Sequence, residues 1–137
     1  MVVEHNIEVR YGETDQMGVV YHANYVVWFD IGRTKFYESL GFSMNDSEEQ
    51  GYLYPVKELS VKYHESVKFG EKVKVRTKVH KFTKVKTVYY QEIVNDDGDL
   101  KASGYVTIVV VDKETFTLQR FNKVLPDVYE SYMKLIG

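Results

Sequence analysis

Residues 14–25, TDQMGVVYHANY, hold the side chains best suited to chemistry. Asp15 stands in a polar loop, eight or nine residues ahead of a helical pattern that starts near Ala23. Gly18 lets that loop turn tightly or approach another group closely. Val19 and Val20 offer an apolar wall, and His22, Ala23 and Asn24 lead into the helix. The first N–H groups of a helix lack intrahelical acceptors and carry the positive end of its dipole, so they bind anionic oxygen. A carboxylate beside such donors, at the rim of an apolar pocket, can attack an acyl carbonyl or activate water for that attack. The donors meanwhile stabilise the oxyanion that develops. An Asp ahead of a helix also serves as a turn or capping residue, and spacing alone leaves both readings open.

The surrounding elements must hold these groups in place. Residues 2–10 (VVEHNIEVR) read as a strand, followed by the polar loop. From Ala23 to Leu40, Val26, Phe29, Arg33, Phe36 and Leu40 recur at helical spacing, and Gly41 is placed to end the helix. The helix would be roughly 27 Å long. Its first two turns are apolar almost all round, which predicts burial on several sides. Residues 43–50 suit a short exposed helix or loop, and strands dominate after it. Four are predicted, at Leu53–Lys68, Lys72–Phe82, Lys86–Asn95 and Leu100–Asp112, with a hairpin turn at Asp96-Asp97-Gly98. In the second of these, Val73, Val75, Thr77 and Val79 alternate with Lys74, Arg76, Lys78 and His80. Asn122 to Ile136 reads as a short helix with Pro126 in its first turn. Short turns force antiparallel pairing, and the 23–40 helix is the one large apolar body available for the sheet to wrap. The class is α+β, with no second long helix to support a ferredoxin-like alternation.

Composition narrows the rest. The 137 residues suit one domain over 1–137, with 44% hydrophobic residues for a core. Cysteine is absent, which excludes thiolate nucleophiles, disulfides and Cys-based zinc sites. His5, His22, His64 and His80 are scattered, so no metal site is expected. No serine elbow or phosphate loop occurs. Asp30 and Arg33, one turn apart, suit a structural ion pair or interface contact more than a buried catalytic pair. No basic apolar leader opens the chain and no run would span a bilayer, so a soluble, cytoplasmic protein is expected. Residues 57–86 carry ten basic and three acidic side chains, against three and nine in residues 1–56. That block reads as a lysine-coated sheet face, with no motif for nucleic acid.

The pattern Val9-x4-Thr14-Asp15-x2-Gly18-Val19-Val20-x-His22-x2-Tyr25 resembles the active-site signature of the 4-hydroxybenzoyl-CoA thioesterase family. It looks most like the bacterial acyl-CoA thioesterase branch associated with the Tol–Pal gene cluster. The resemblance continues through NYVVWFDIGRTKFYESLG and resumes at Tyr63-x6-Gly70-Glu71, where Ser66 and Glu71 replace the family's Pro and Asp. Glu8 stands where Gln or Arg is usual.

The resemblance implies a hotdog fold, an antiparallel five-stranded sheet wrapped around a long central helix. Subunits would pair edge to edge as homodimers or homotetramers, with active sites at the interface. It implies Asp15 as nucleophile or general base, and His22 as the position whose backbone N–H polarises the thioester carbonyl. Gly18, Val19 and Tyr25 would line the substrate site. Tyr54 takes a position that approaches the thioester from the neighbouring subunit, where the hydroxybenzoyl enzyme has threonine. Lys84 and Lys86 match basic positions that meet CoA phosphates. No cofactor is implied. The implied reaction is acyl-CoA hydrolysis. An acyl-thioester dehydratase or hydratase, or a non-catalytic acyl-CoA-binding module, would share the fold.

Overall fold

The computed structural model describes residues 1–136. Strand β1 (Val3–Glu8) leads through a short 3-10 turn at Tyr11–Glu13 to helix α1 (Asn24–Ser39). Helix α2 (Met44–Glu49) follows, then β2 (Tyr52–Leu53), β3 (Val56–Tyr63), β4 (Lys72–Phe82), β5 (Lys86–Asn95), β6 (Leu100–Val109) and β7 (Val111–Asp112). Helices α3 (Phe121–Val124) and α4 (Pro126–Ile136) close the order. Five strands form one antiparallel sheet, β1-β4-β5-β6-β3, and β2 pairs with β7 separately. This is the hotdog arrangement, with α1 packed on the inner face of the sheet against β1, β4 and β5.

The inner face explains why the helix sits so close. Trp28, Phe29 and Phe36 are buried against Val75, Ile93 and Val106. Gly32 is the point of nearest approach: a Cβ there would lie 2.7 Å from Thr77 Oγ1 and from Val75 Cγ2. Around it Gln91 donates to the Phe29 carbonyl (2.8 Å) and to Thr77 Oγ1 (2.9 Å), and accepts from Arg33 Nη1 (3.0 Å). Arg33 also pairs with Asp30 at 3.1 Å, the ion pair the spacing predicts. Burial pulls the Arg33 pKa below its usual value, and Asp30 opposes that pull. The apolar first two turns of α1 are not enclosed all round, because Val27 and Asp30 remain exposed.

Several boundaries depart from the sequence reading, and the main ones have local reasons; β1 is also shorter than the expected 2–10. The segment expected as one strand over Leu53–Lys68 breaks at Tyr54-Pro55, where proline has no N–H to give a ladder, and β3 then stops at Tyr63. The expected strand Leu100–Asp112 divides at Val110, whose carbonyl turns to accept the Gln119 N–H at 2.9 Å. The C-terminal helix is two helices, because Leu125 precedes a proline and leaves helical geometry (φ −136, ψ 65), while Pro126 opens α4 at its first position. Helix α1 begins at Asn24 with Ala23 as its N-cap, so His22 lies in the preceding turn. The alternation in β4 holds to Val79, where a bulge shifts the register and turns Phe82 inward.

Candidate active site

The loop before α1 is fixed by Glu13. Its buried carboxylate accepts the Arg10 N–H at 2.8 Å through Oε1 and the Trp28 indole N–H at 3.0 Å through Oε2. Its carbonyl accepts the Tyr21 N–H (2.8 Å) and Asn24 Nδ2 (2.8 Å). One residue thus ties both ends of the 14–23 loop to the helix. Sequence reasoning passed over Glu13, because nothing in its type or spacing marks a surface-loop glutamate as buried.

Two residues on, Asp15 closes a tight turn. Its N–H donates to the Val19 carbonyl (2.9 Å), its carbonyl accepts the Gly18 N–H (3.0 Å), and its Oδ1 accepts the Met17 N–H (2.8 Å). Gly18 makes the turn possible at φ +78, a conformation side-chain-bearing residues rarely adopt. The turning role weighed from the sequence is therefore real, yet it occupies only one carboxylate oxygen. Asp15 enters no salt bridge among the described residues.

Beside Asp15 lies an open cleft of about 250 Å³. Val19, Val20, His22 and Tyr25 line it with Asp15, so five of the residues singled out in the 14–25 stretch share one cavity. Tyr63 and the segment His64–Ser66 complete its lining; Tyr63 and Ser66 fall within the family resemblance, which implies no site role for them. The Tyr63 hydroxyl donates to the His22 carbonyl at 3.0 Å, orienting the peptide that precedes α1. Among the described residues, nothing accepts from the N–H groups of His22 and Ala23. Ala23 supplies no side-chain cap and the first turn of α1 contains no acidic residue, so the positive end of the helix is left uncompensated. Burial raises the Tyr25 pKa above its usual value, against opposing pulls from the Val67 backbone and Lys101, and the hydroxyl stays protonated.

The remaining candidates lie elsewhere in the chain. Gly18 shapes the loop without lining the cleft. Tyr54 lines a separate cavity of about 60 Å³ with Arg33, Tyr37, Tyr89 and Tyr132, its hydroxyl 2.7 Å from that of Tyr37. Burial drives the Tyr54 pKa far above the usual phenol value. Lys84 sits in the β4–β5 turn and Lys86 opens β5 opposite Val109, whose N–H donates to the Pro55 carbonyl (3.2 Å). Lys86 and Tyr54-Pro55 therefore share one end of the sheet. The cleft lies at the other, where Tyr63 pairs with Ala102, seven residues along β6 from Val109, or roughly 23 Å. Among the described residues, no three His, Cys, Asp or Glu side chains are grouped to hold a metal, and no helix is long and apolar enough to cross a membrane.

A carboxylate with a free oxygen, in one cleft with an apolar wall and with a helix start whose preceding amides are unpaired, suits attack on an acyl group. Residues 9–131 match the family model described as the thioesterase-like superfamily. The chain belongs to that superfamily. Among its thioesterase relatives is YneP of Bacillus subtilis (strain 168), provisionally assigned as an acyl-CoA thioesterase. It is 42% identical over 133 residues, which are 97% of this chain and 96% of YneP. The acyl-CoA thioester hydrolase YbgC of Escherichia coli O157:H7 is 28% identical over 77% of this chain and 79% of its own. Of the solved structures, a DHNA-CoA thioesterase from Staphylococcus aureus superposes with a TM-score of 0.96 at 41% identity, covering 98% of this chain and 91% of that one. The thioesterase family and the hotdog fold implied by the 14–25 signature are thereby shown.

Proposed function

We propose that the protein hydrolyses acyl-CoA thioesters, with Asp15 as the attacking carboxylate or the base that activates water. The observation that carries this reading is the shared cleft: Asp15, with a free carboxylate oxygen, lines the same cavity as His22, whose N–H has no acceptor among the described residues at the start of α1. A thioester seated between them presents its carbonyl carbon to Asp15 and its carbonyl oxygen to the amides. As the carbon becomes tetrahedral, negative charge collects on that oxygen. The preset donors and the helix dipole stabilise it without reorganising. Collapse expels the CoA thiolate and yields the free acid, directly when water attacks or after hydrolysis of an anhydride when Asp15 does.

The functional unit is proposed to be a dimer paired along β3, with further assembly to a tetramer left to measurement. This strand ends the sheet, and all of its residues except Val61 are exposed. An open edge of eight residues invites pairing with a second chain. Two-fold antiparallel pairing of β3 with its copy would set Val56 of one subunit near Tyr63 of the other. Tyr54 of the partner subunit would then approach the Asp15 cleft, with Lys84 and Lys86 of the partner subunit at the same end for the CoA phosphates. The proposed location is the cytoplasm.

The test is release of free thiol from a panel of acyl-CoAs. The likeness to the Staphylococcus aureus enzyme makes DHNA-CoA the first substrate to assay, followed by aliphatic acyl groups of increasing length. Release from at least one is the expected result, and none from any would leave the fold as a binding module.

A further inference from the structure

Lys101 lies on β6 and is only 8% exposed. A buried ammonium is costly unless its protons are taken up by charged or strongly accepting groups. Its three side-chain acceptors all belong to one stretch of chain: Glu71 Oε1 at 3.0 Å, the Ser66 carbonyl at 3.3 Å and Glu65 Oε2 at 3.5 Å. Its backbone carbonyl accepts from the same stretch, taking the N–H groups of His64 (2.9 Å) and Glu65 (3.2 Å). Glu71 completes the frame, with its Oε2 accepting the Lys68 N–H at 3.0 Å. Residues 64–71 are not a strand of the main sheet, and this network holds them where a ladder would otherwise do so.

That segment touches the reactive loop directly. His64, Glu65 and Ser66 form a wall of the cleft. Beyond them the Val67 carbonyl accepts the Val20 N–H at 2.7 Å, and Lys68 bridges to Val19. Val19 in turn accepts the Asp15 N–H at 2.9 Å. A continuous path of bonds therefore runs from Lys101 through 64–71 and Val19-Val20 to Asp15.

We propose that Lys101 is a positioning residue for the active-site cleft, fixing the 64–71 wall and through it the carboxylate of Asp15. Its consequence for turnover rests on the thioesterase reading; its consequence for the loop does not. The role is invisible in sequence, where a lysine near the start of a strand reads as one more solvent-facing charge.

Two readouts on Lys101→Met separate positioning from general stabilisation. Amide hydrogen exchange at Val20 and Asp15 should quicken by about tenfold or more, with Val75 and Ile93 in the β4–β5 pair unchanged. In thioester hydrolysis kcat should fall about tenfold or more, with KM moving less than about threefold, because a displaced carboxylate loses alignment before it loses binding. Lys101→Arg, which keeps the charge and the reach to the carboxylates, should restore most of both. Should Lys101→Met fail to fold, Glu65→Gln weakens one contact of a half-exposed side chain and should shift both readouts in the same direction by a few-fold. Exchange at Val20 and Asp15 unchanged in a folded variant, or a loss confined to KM, overturns the proposal. If the wild-type protein hydrolyses no thioester, the thioesterase reading falls, and the exchange measurement still decides the positioning role.

Discussion

Replacing Gly32 by alanine pits two opposing effects against each other, and the structure decides the sign. In an open helix the change favours folding by up to about 1 kcal/mol, since glycine is the weaker helix former. Here the added Cβ would lie 2.7 Å from Thr77 Oγ1 and Val75 Cγ2 and 2.9 Å from Gln91 Nε2, about 0.7 Å inside ordinary contact for the first two. None of these neighbours is a free side-chain end. Val75 and Thr77 are fully buried on β4, and Gln91 is held by Phe29, Thr77 and Arg33. Overpacking of this kind costs about 1–3 kcal/mol, and each loosened hydrogen bond of Gln91 adds about 1 kcal/mol. The net effect is a destabilisation of about 2 kcal/mol, or a fall in Tm of roughly 8 °C at about 4 °C per kcal/mol for a chain of this length. Scanning calorimetry of Gly32→Ala against the parent measures it. A Tm equal to or above the parent's would refute the close packing of α1 on the sheet, and with it the frame that holds the cleft.

The other expectations concern the loop and its supports. Glu13→Ala strips the acceptors from the Trp28 indole and the Arg10 N–H, and should lower the urea-derived stability by about 2–4 kcal/mol, with Glu13→Gln intermediate. Tyr63→Phe removes the donor to the His22 carbonyl and should reduce kcat about fivefold at unchanged KM. Burial alone would raise the Glu71 pKa, but the Lys68 N–H, Lys101 and Asn95 outweigh it and hold the carboxyl below its usual 4.5. The unfolded state therefore binds the proton first, so this stabilisation is complete above pH 4.5 and is lost as the pH falls below it. Urea midpoints measured from pH 7 down to 3 should fall less steeply in Glu71→Gln than in the parent.

What the sequence conveyed and what it withheld follow from range. Alternation for β4, and β-branched and aromatic residues ahead of a hairpin turn for β5, put both strands at their observed ends, Lys72–Phe82 and Lys86–Asn95. The apolar helical stripe located α1 to within a residue at each end. The short spacing from Asp15 to Tyr25 brought Asp15, Val19, His22 and Tyr25 to one cleft, because both sides of that loop are tied locally. Long-range pairing stayed hidden. Glu13 is buried by Trp28, fifteen residues on, and Lys101 by a segment some thirty residues earlier. Periodicity places Trp28 on the helix, but it does not pair a loop glutamate or a strand lysine with a distant partner. Tyr54, Lys84 and Lys86 lie outside the cleft of their own chain.

The central measurement is steady-state hydrolysis by Asp15→Asn. Asparagine keeps the Oδ1 acceptor for the Met17 N–H, so the loop turn survives while the negative charge is lost. A drop in kcat of about 10³-fold or more, with KM and Tm unchanged, is the result predicted for a carboxylate that attacks or activates water. Turnover within a factor of about two of the parent's in a folded Asp15→Asn protein would contradict that role.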